Sequence, residues 1–148
     1  MLRISEHIIS ELKDSIVILK RLELIEKERL LNLISNKYID SNKSGTWFWE
    51  KLIKCVVLND DMAWSYIKDF VGENECIMFF NQNEEKEMFL IRSGEDLNYL
   101  LSETYGFEFY ITDKECSYLL CFNHHDILYG CGRAEGWIDG MRKIHNEN

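Results

Sequence analysis

The sequence predicts an α+β fold, with N-terminal helices packed on one face of a mostly antiparallel sheet of about five strands and a short C-terminal helix. Three observations carry this expectation. Apolar residues recur at three- and four-residue steps in the first 38 positions, as at Ile8, Leu12, Ile16 and Leu19. From residue 75 onward, short aromatic and β-branched runs are separated by turn residues. The order is helices first, then a hairpin, a helix and a three-strand meander, which favours antiparallel neighbours. With 148 residues, 46% of them apolar, the chain is expected to be a single domain, 1–148, able to bury a core without disulfides or metal.

Residues 1–38 read as a helical segment. Ser5 is the expected N-cap, and a second apolar pattern follows at Leu24, Leu30, Leu31, Ile34 and Tyr38. A break is expected near residues 22–28. "IDSNKSGT" is a loop. Residues 46–71 read as helices. Thr46 can cap "WFWEKL", where Trp47, Phe48 and Trp49 cannot all face inward from one helix, so at least one ring is left for a neighbour or a partner. In "NDDMAWSYIKDFVG", Asn59 or Asp60 caps, Tyr66, Ile67 and Phe70 give an apolar side, and Gly72 fits a left-handed stop.

Residues 75–132 read as the sheet with one inserted helix. "ECIMFFNQ" and "MFLI" form a hairpin across a charged turn. "RSGEDLNYLLSETYG" is a helix opened by Ser93 and Asp96 as a capping box. "FEFYITD" alternates, with Phe107, Phe109 and Ile111 on one face and Glu108, Tyr110 and Thr112 on a wet one. "SYLLCF" and "DILYGCG" complete the meander. Residues 133–145 form the C-terminal helix, weakened by Gly136 and Gly140.

Proline is absent, where roughly seven are usual in a chain this long. The five cysteines form no CxxC, no apolar stretch of about 18 residues occurs, and no signal peptide is expected. Free thiols in a reducing cytoplasm are expected, with no membrane association. Charge is uneven. Residues 1–74 hold 11 Lys and Arg against 12 Asp and Glu, whereas residues 75–148 hold 6 against 14, a balance of −8. Such a surface repels phosphate backbones and attracts a basic protein, so the expected partner is protein and not nucleic acid.

"LLCFNHHDILYGCGRA" gathers the candidate chemistry. Asn123 and Asp126 suit a hairpin turn, because their side chains cap nearby amides. Adjacent histidines in an extended turn point apart, and Cys121 and Cys131 lack metal-ligand spacing, so no metal or other cofactor is expected. A Cys–His pair, Cys131 with His124 or Cys121 with His125, lacks an orienting third group. Recognition remains: His124, His125, Asp126 and Tyr129 at the tip, with Trp137, Trp47 and Trp49, are the candidate partner contacts.

The segment 109–132, "FYITDKECSYLLCFNHHDILYGCG", resembles the C-terminal part of small acidic bacterial proteins similar to immunity proteins of polymorphic toxin systems. The resemblance covers about a sixth of the chain and implies an α+β binding protein. The expected function is therefore a non-enzymatic, cytoplasmic, immunity-type inhibitor of a basic toxin domain. Two alternatives stand beside it: a small hydrolase-like enzyme using His124 and Asp126 in a pocket, and a regulatory subunit that associates with itself as a homo-oligomer.

Overall fold

The computed structural model describes residues 3–147. The first helix, α1 (Ile4–Leu12), ends where Ser15 turns back on it. The Ser15 hydroxyl donates to the Leu12 carbonyl at 2.8 Å and accepts from the Val17 amide at 3.2 Å, local bonds that compete with helix continuation. The chain then runs extended through β1 (Lys20–Arg21) and enters α2 (Leu24–Tyr38). The helical segment expected over 1–38 is thus two helices joined by an extended stretch. Ile16, expected on the apolar stripe, is 86% exposed. Ser5, expected as the cap, lies inside α1 with its amide donating to the buried Glu85; Arg3 holds the cap position.

Residues 46–71 also depart from the helical expectation. A single 3-10 turn at Phe48–Lys51 leads to β2 (Val56–Asn59). A second 3-10 turn at Ala63–Tyr66 runs into α3 (Ile67–Val71), which stops at Gly72 with φ of 63°. Then β3 (Cys76–Phe79) and β4 (Phe89–Ile91) pair as the expected hairpin. Helix α4 (Gly94–Glu103) starts at Ser93, whose side chain accepts from the Asp96 amide at 3.3 Å. A cap of this kind is worth about 1 kcal/mol. The meander follows as β5 (Phe109–Thr112), β6 (Tyr118–Phe122) and β7 (Ile127–Gly132). The last helix, α5 (Ala134–Glu147), runs 14 residues and is not short; Gly136 and Gly140 both fall on its exposed side, where they cost no packing.

Every strand pair is antiparallel, in the order β1-β4-β3-β5-β6-β7-β2. The sheet has seven strands where about five were expected. The five expected strands are its contiguous centre, and the two unexpected ones are its edges. β1 is two residues long and carries no readable periodicity; β2 is four residues set between two 3-10 turns.

The helices do not share one face. α1, α3, α4 and α5 cover one side, where Ile8, Ile67, Leu97, Leu100 and Ile138 pack on Met78, Phe89, Ile111 and Leu120. α2 covers the other, where Leu30, Ile34 and Tyr38 pack on Ile77, Phe79, Leu119 and Cys131. This corrects the one-sided arrangement, and the reason is in the central strands. β3 and β5 are buried at every position, so both faces had to be covered. Glu108, Tyr110 and Thr112, expected on a wet face, are all buried under the α2 side. Phe79 and Tyr110 stack there with ring centroids 5.0 Å apart.

Candidate functional site

The ends of β2, β3 and β6 and the starts of β5 and β7 meet at one end of the antiparallel sheet. The hairpin turn at residues 123–126 forms the tip. Asn123 is buried, and its side-chain carbonyl accepts from the amides of His125 at 3.0 Å and Ile127 at 3.2 Å. Asp126 adopts φ of 61°, a conformation aspartate tolerates, and its carbonyl accepts from the Asp60 amide at 3.0 Å. The turn is therefore bonded from within and tied to the neighbouring edge strand.

Beneath the tip lies Glu108, only 6% exposed. Its Oε1 accepts from Trp49 Nε1 at 3.1 Å and from Asn81 Nδ2 at 2.8 Å. Its Oε2 accepts from the His124 amide at 2.8 Å and also meets His124 Nδ1. Burial opposes the charge on this carboxylate, but the amide and ring of His124, then Trp49 and Asn81, outweigh it and hold the carboxyl below the usual glutamate value. An ionised carboxylate only accepts, so Nδ1 carries the hydrogen and the ring is fixed in orientation. The network continues inward: the Tyr110 hydroxyl donates to Asn81 Oδ1 at 2.6 Å and accepts from the Trp49 amide at 3.3 Å.

The structure brings most of the expected residues together. The half-buried Trp49 packs edge-on against the rings of His124 and His125, each at 6.1 Å, and tilts over Tyr129 at 5.8 Å. His124 and His125 lie 3.9 Å apart, ring to ring. Trp47 lines a groove of about 440 Å³ together with Glu84, Phe107, Glu108, Phe122, His124 and Asp126. Trp137 stands apart, packed on Phe70 at 5.0 Å on the α5 side. Glu108, Asn81 and the groove aromatics Phe107 and Phe122 were not singled out by sequence. The available signal was the continuous apolar run of "CIMFF", which implies a sheet covered on both sides and therefore a buried Glu108.

The thiols take no part. Cys121 and Cys131 are buried under α2, and burial pushes Cys131 up to about 12 and Cys121 well above its usual value. Neither is poised as a nucleophile or a ligand for the tip histidines. Among the described residues, no three His, Cys, Asp or Glu side chains are placed to hold a metal ion. No helix among them is long and apolar enough to cross a membrane.

A sequence model spanning residues 5–139 matches this chain, and it describes a family of unknown function (DUF6756). The chain belongs to that family. No curated protein and no solved structure matches it. In this DUF6756 member, the buried Glu108 network and the hairpin tip lie at one end of the sheet.

A second titratable cluster lies beside it. His145 of α5 places Nδ1 2.8 Å from the Met141 carbonyl and Nε2 2.9 Å from Asp60 Oδ2. Both ring nitrogens face acceptors, an arrangement that only the imidazolium satisfies. The Met141 carbonyl and then Asp60 raise the His145 pKa above 6.5. Asp60 is held below the usual aspartate value by the Met62 amide, with Tyr66 and His145 adding to it. Because the folded-state value of His145 is raised, its contribution to stability is complete below its ordinary pKa and is lost as pH rises through the raised one. The thermal midpoint of the native protein is expected to fall from about pH 6 to about pH 8 relative to His145→Gln, in which this component is absent. Parallel melting curves for the two proteins at both pH values check this; an unchanged difference between them contradicts it.

Proposed function

We propose that this DUF6756 member is a non-enzymatic, cytoplasmic binding protein of immunity type, whose sheet end engages and occludes a basic toxin domain. One observation carries the reading: Glu108 is buried, and both of its carboxylate oxygens go into fixing Trp49, Asn81 and the NHHD turn. A surface held this rigidly loses little entropy when it binds, which is what a recognition site requires. The patch built on Trp49, with His125 and Tyr129 packed against its ring, has the aromatic character of binding hot spots. The −8 balance of residues 75–148 supports a basic partner, whose approach it accelerates.

The hydrolase reading has one observation in its favour, since His124 and Asp126 line the same groove and Glu108 orients the imidazole. No thiol accompanies them there, so that chemistry would have to use water as its nucleophile.

The test is affinity capture with the native chain as bait, followed by binding measurements on the basic protein recovered and by co-expression. The expected result is a basic toxin domain that arrests growth alone and not alongside this chain. His125→Ala is expected to weaken binding about tenfold, or about 1.4 kcal/mol, mostly by faster dissociation and without a change in melting temperature. Recovery of no basic protein, or equal binding by His125→Ala, would sink the reading.

A further inference from the structure

We infer that the aromatic groove at this end of the sheet is a subsite for an arginine side chain, supplied by an extended basic segment of the partner. The inference rests on the binding reading above and names which surface reads which chemistry. The groove of about 440 Å³ runs into a second hollow of about 330 Å³; the two share Gly106, Phe107, Phe122 and Asp126. Their size lies within the range of small-ligand sites, about 300–1,000 Å³. Aromatic rings make the walls: Trp47 on one side, Trp64 and the 80% exposed Tyr105 on the other, with Phe107 and Phe122 between. Three exposed carboxylates stand on the rim, Asp61, Glu84 and Asp126, and none of them forms an ion pair among the described residues. No lysine or arginine lines either hollow.

The opposite end of the sheet shows what such a setting holds. There Arg133 lies over the rings of Phe70 and Tyr118, 5.0 Å from each centroid, with a guanidinium nitrogen 3.7 Å from Asp113 Oδ2. Aromatic faces and a carboxylate are thus satisfied by a guanidinium from the chain itself. The groove presents the same two ingredients and no guanidinium of its own. Arginine fits it better than lysine, because the planar guanidinium stacks on a ring while reaching a carboxylate in its own plane. Two of the three rim carboxylates, Glu84 and Asp126, belong to the acidic stretch 75–148, so long-range attraction and local contact point to the same occupant.

The experiment uses the full-length protein, labelled so that its four tryptophan indole N–H signals are resolved by NMR. The probe is N-acetyl-arginine methylamide, followed by a short Gly-Arg-Gly-Arg-Gly peptide to separate a free cation from a chain segment. The citrulline analogue serves as the uncharged isostere and the lysine analogue as the non-planar cation. Saturable movement of the Trp47 and Trp64 signals with arginine is expected, strongest for the peptide, weaker for lysine and absent for citrulline. Trp137 should stay fixed. The Asp61→Asn/Asp126→Asn variant, both positions exposed and its fold checked by amide dispersion, should weaken the response about fivefold or more. No saturable response, an equal response to citrulline, or an unaltered response in the variant each overturns the subsite. If the probe fails while His125→Ala still weakens a captured basic partner, the subsite falls and the binding reading stands. If the probe titrates and no basic partner exists, the groove binds arginine, but its supply by a partner segment falls together with the binding reading.

Discussion

Replacing Glu108 by leucine is expected to destabilise the protein by about 3–5 kcal/mol. The carboxylate accepts from Trp49 Nε1, Asn81 Nδ2 and the His124 amide, and meets the His124 ring as well. Leucine supplies no acceptor to any of them, and a buried donor left unpaired costs about 1–3 kcal/mol. Glu108→Gln keeps one oxygen but turns an amide N–H₂ toward other donors, so about 1–2 kcal/mol is expected for it. Urea denaturation followed by tryptophan fluorescence gives both values, with a shifted midpoint and an unchanged slope. A neutral Glu108→Leu would show that water satisfies these donors and that the network does not hold the tip. Acid provides a second reading. The folded-state carboxyl is held below the ordinary glutamate value of 4.5, so its contribution is complete above that value and is lost as pH falls through the lower, folded one. Glu85 behaves in the same sense, with burial opposing its charge and the Ser5 side chain, then the Glu87 and Ser5 amides, overcoming that, so the difference between native protein and Glu108→Gln isolates Glu108.

Gly132→Ala is expected to lower the thermal midpoint by about 6–12 °C, corresponding to about 3 kcal/mol. Gly132 ends β7 with φ of 63°, and a Cβ there would stand 2.7 Å from both the Ser117 carbonyl oxygen and the Tyr38 hydroxyl. Neither neighbour yields easily. The Ser117 carbonyl accepts from the Arg133 amide at 3.0 Å, and the Tyr38 hydroxyl donates to the Cys116 carbonyl at 2.6 Å, pinning α2 to the sheet. Backbone strain adds about 1 kcal/mol to the clash. Gly136→Ala is the contrast: its Cβ would enter open space on a helix, so a gain of about 0.5–1 kcal/mol is expected. Differential scanning calorimetry on the two variants separates close approach from mere flexibility, and equal effects would contradict the assignment.

The central strands and α4 were legible because their signals are local: Ser93 caps, and "SYLLCF" and "DILYGCG" flank a turn whose asparagine bonds its own loop. The edges were not, because β1 and β2 are too short to show a period and owe their conformation to partners distant in sequence, Phe89 and Leu90 for β1 and residues 127–130 for β2. The false continuation of α1 came from Ile16 and Leu19, which match a helical step by chance; Ser15 ends the helix through its hydroxyl, without proline or glycine. At the site, the histidines, Asp126 and the tryptophans were readable as residue types. Glu108 was not, because alternation with Tyr110 and Thr112 imitates a wet strand face. Only the cover supplied by α2 and by the turn at Phe48–Lys51 reveals that this face is dry, and only Trp49, Asn81 and His124 reveal that its carboxylate is fully engaged.

The strand order has a consequence for biosynthesis. β1 and β2 both lie within the first 59 residues, yet they occupy opposite margins of a sheet whose middle is made from residues 76–132. While the nascent chain leaves the ribosome, the first two strands have nothing to dock on, and β2 must wait for β7, about seventy residues later. Folding is therefore postponed until nearly the whole polypeptide has emerged. Until then, Ile16, Ile18, Leu24 and Ile25, exposed even in the finished molecule, are joined by the unburied faces of α1 and α2, a span on which a chaperone would act.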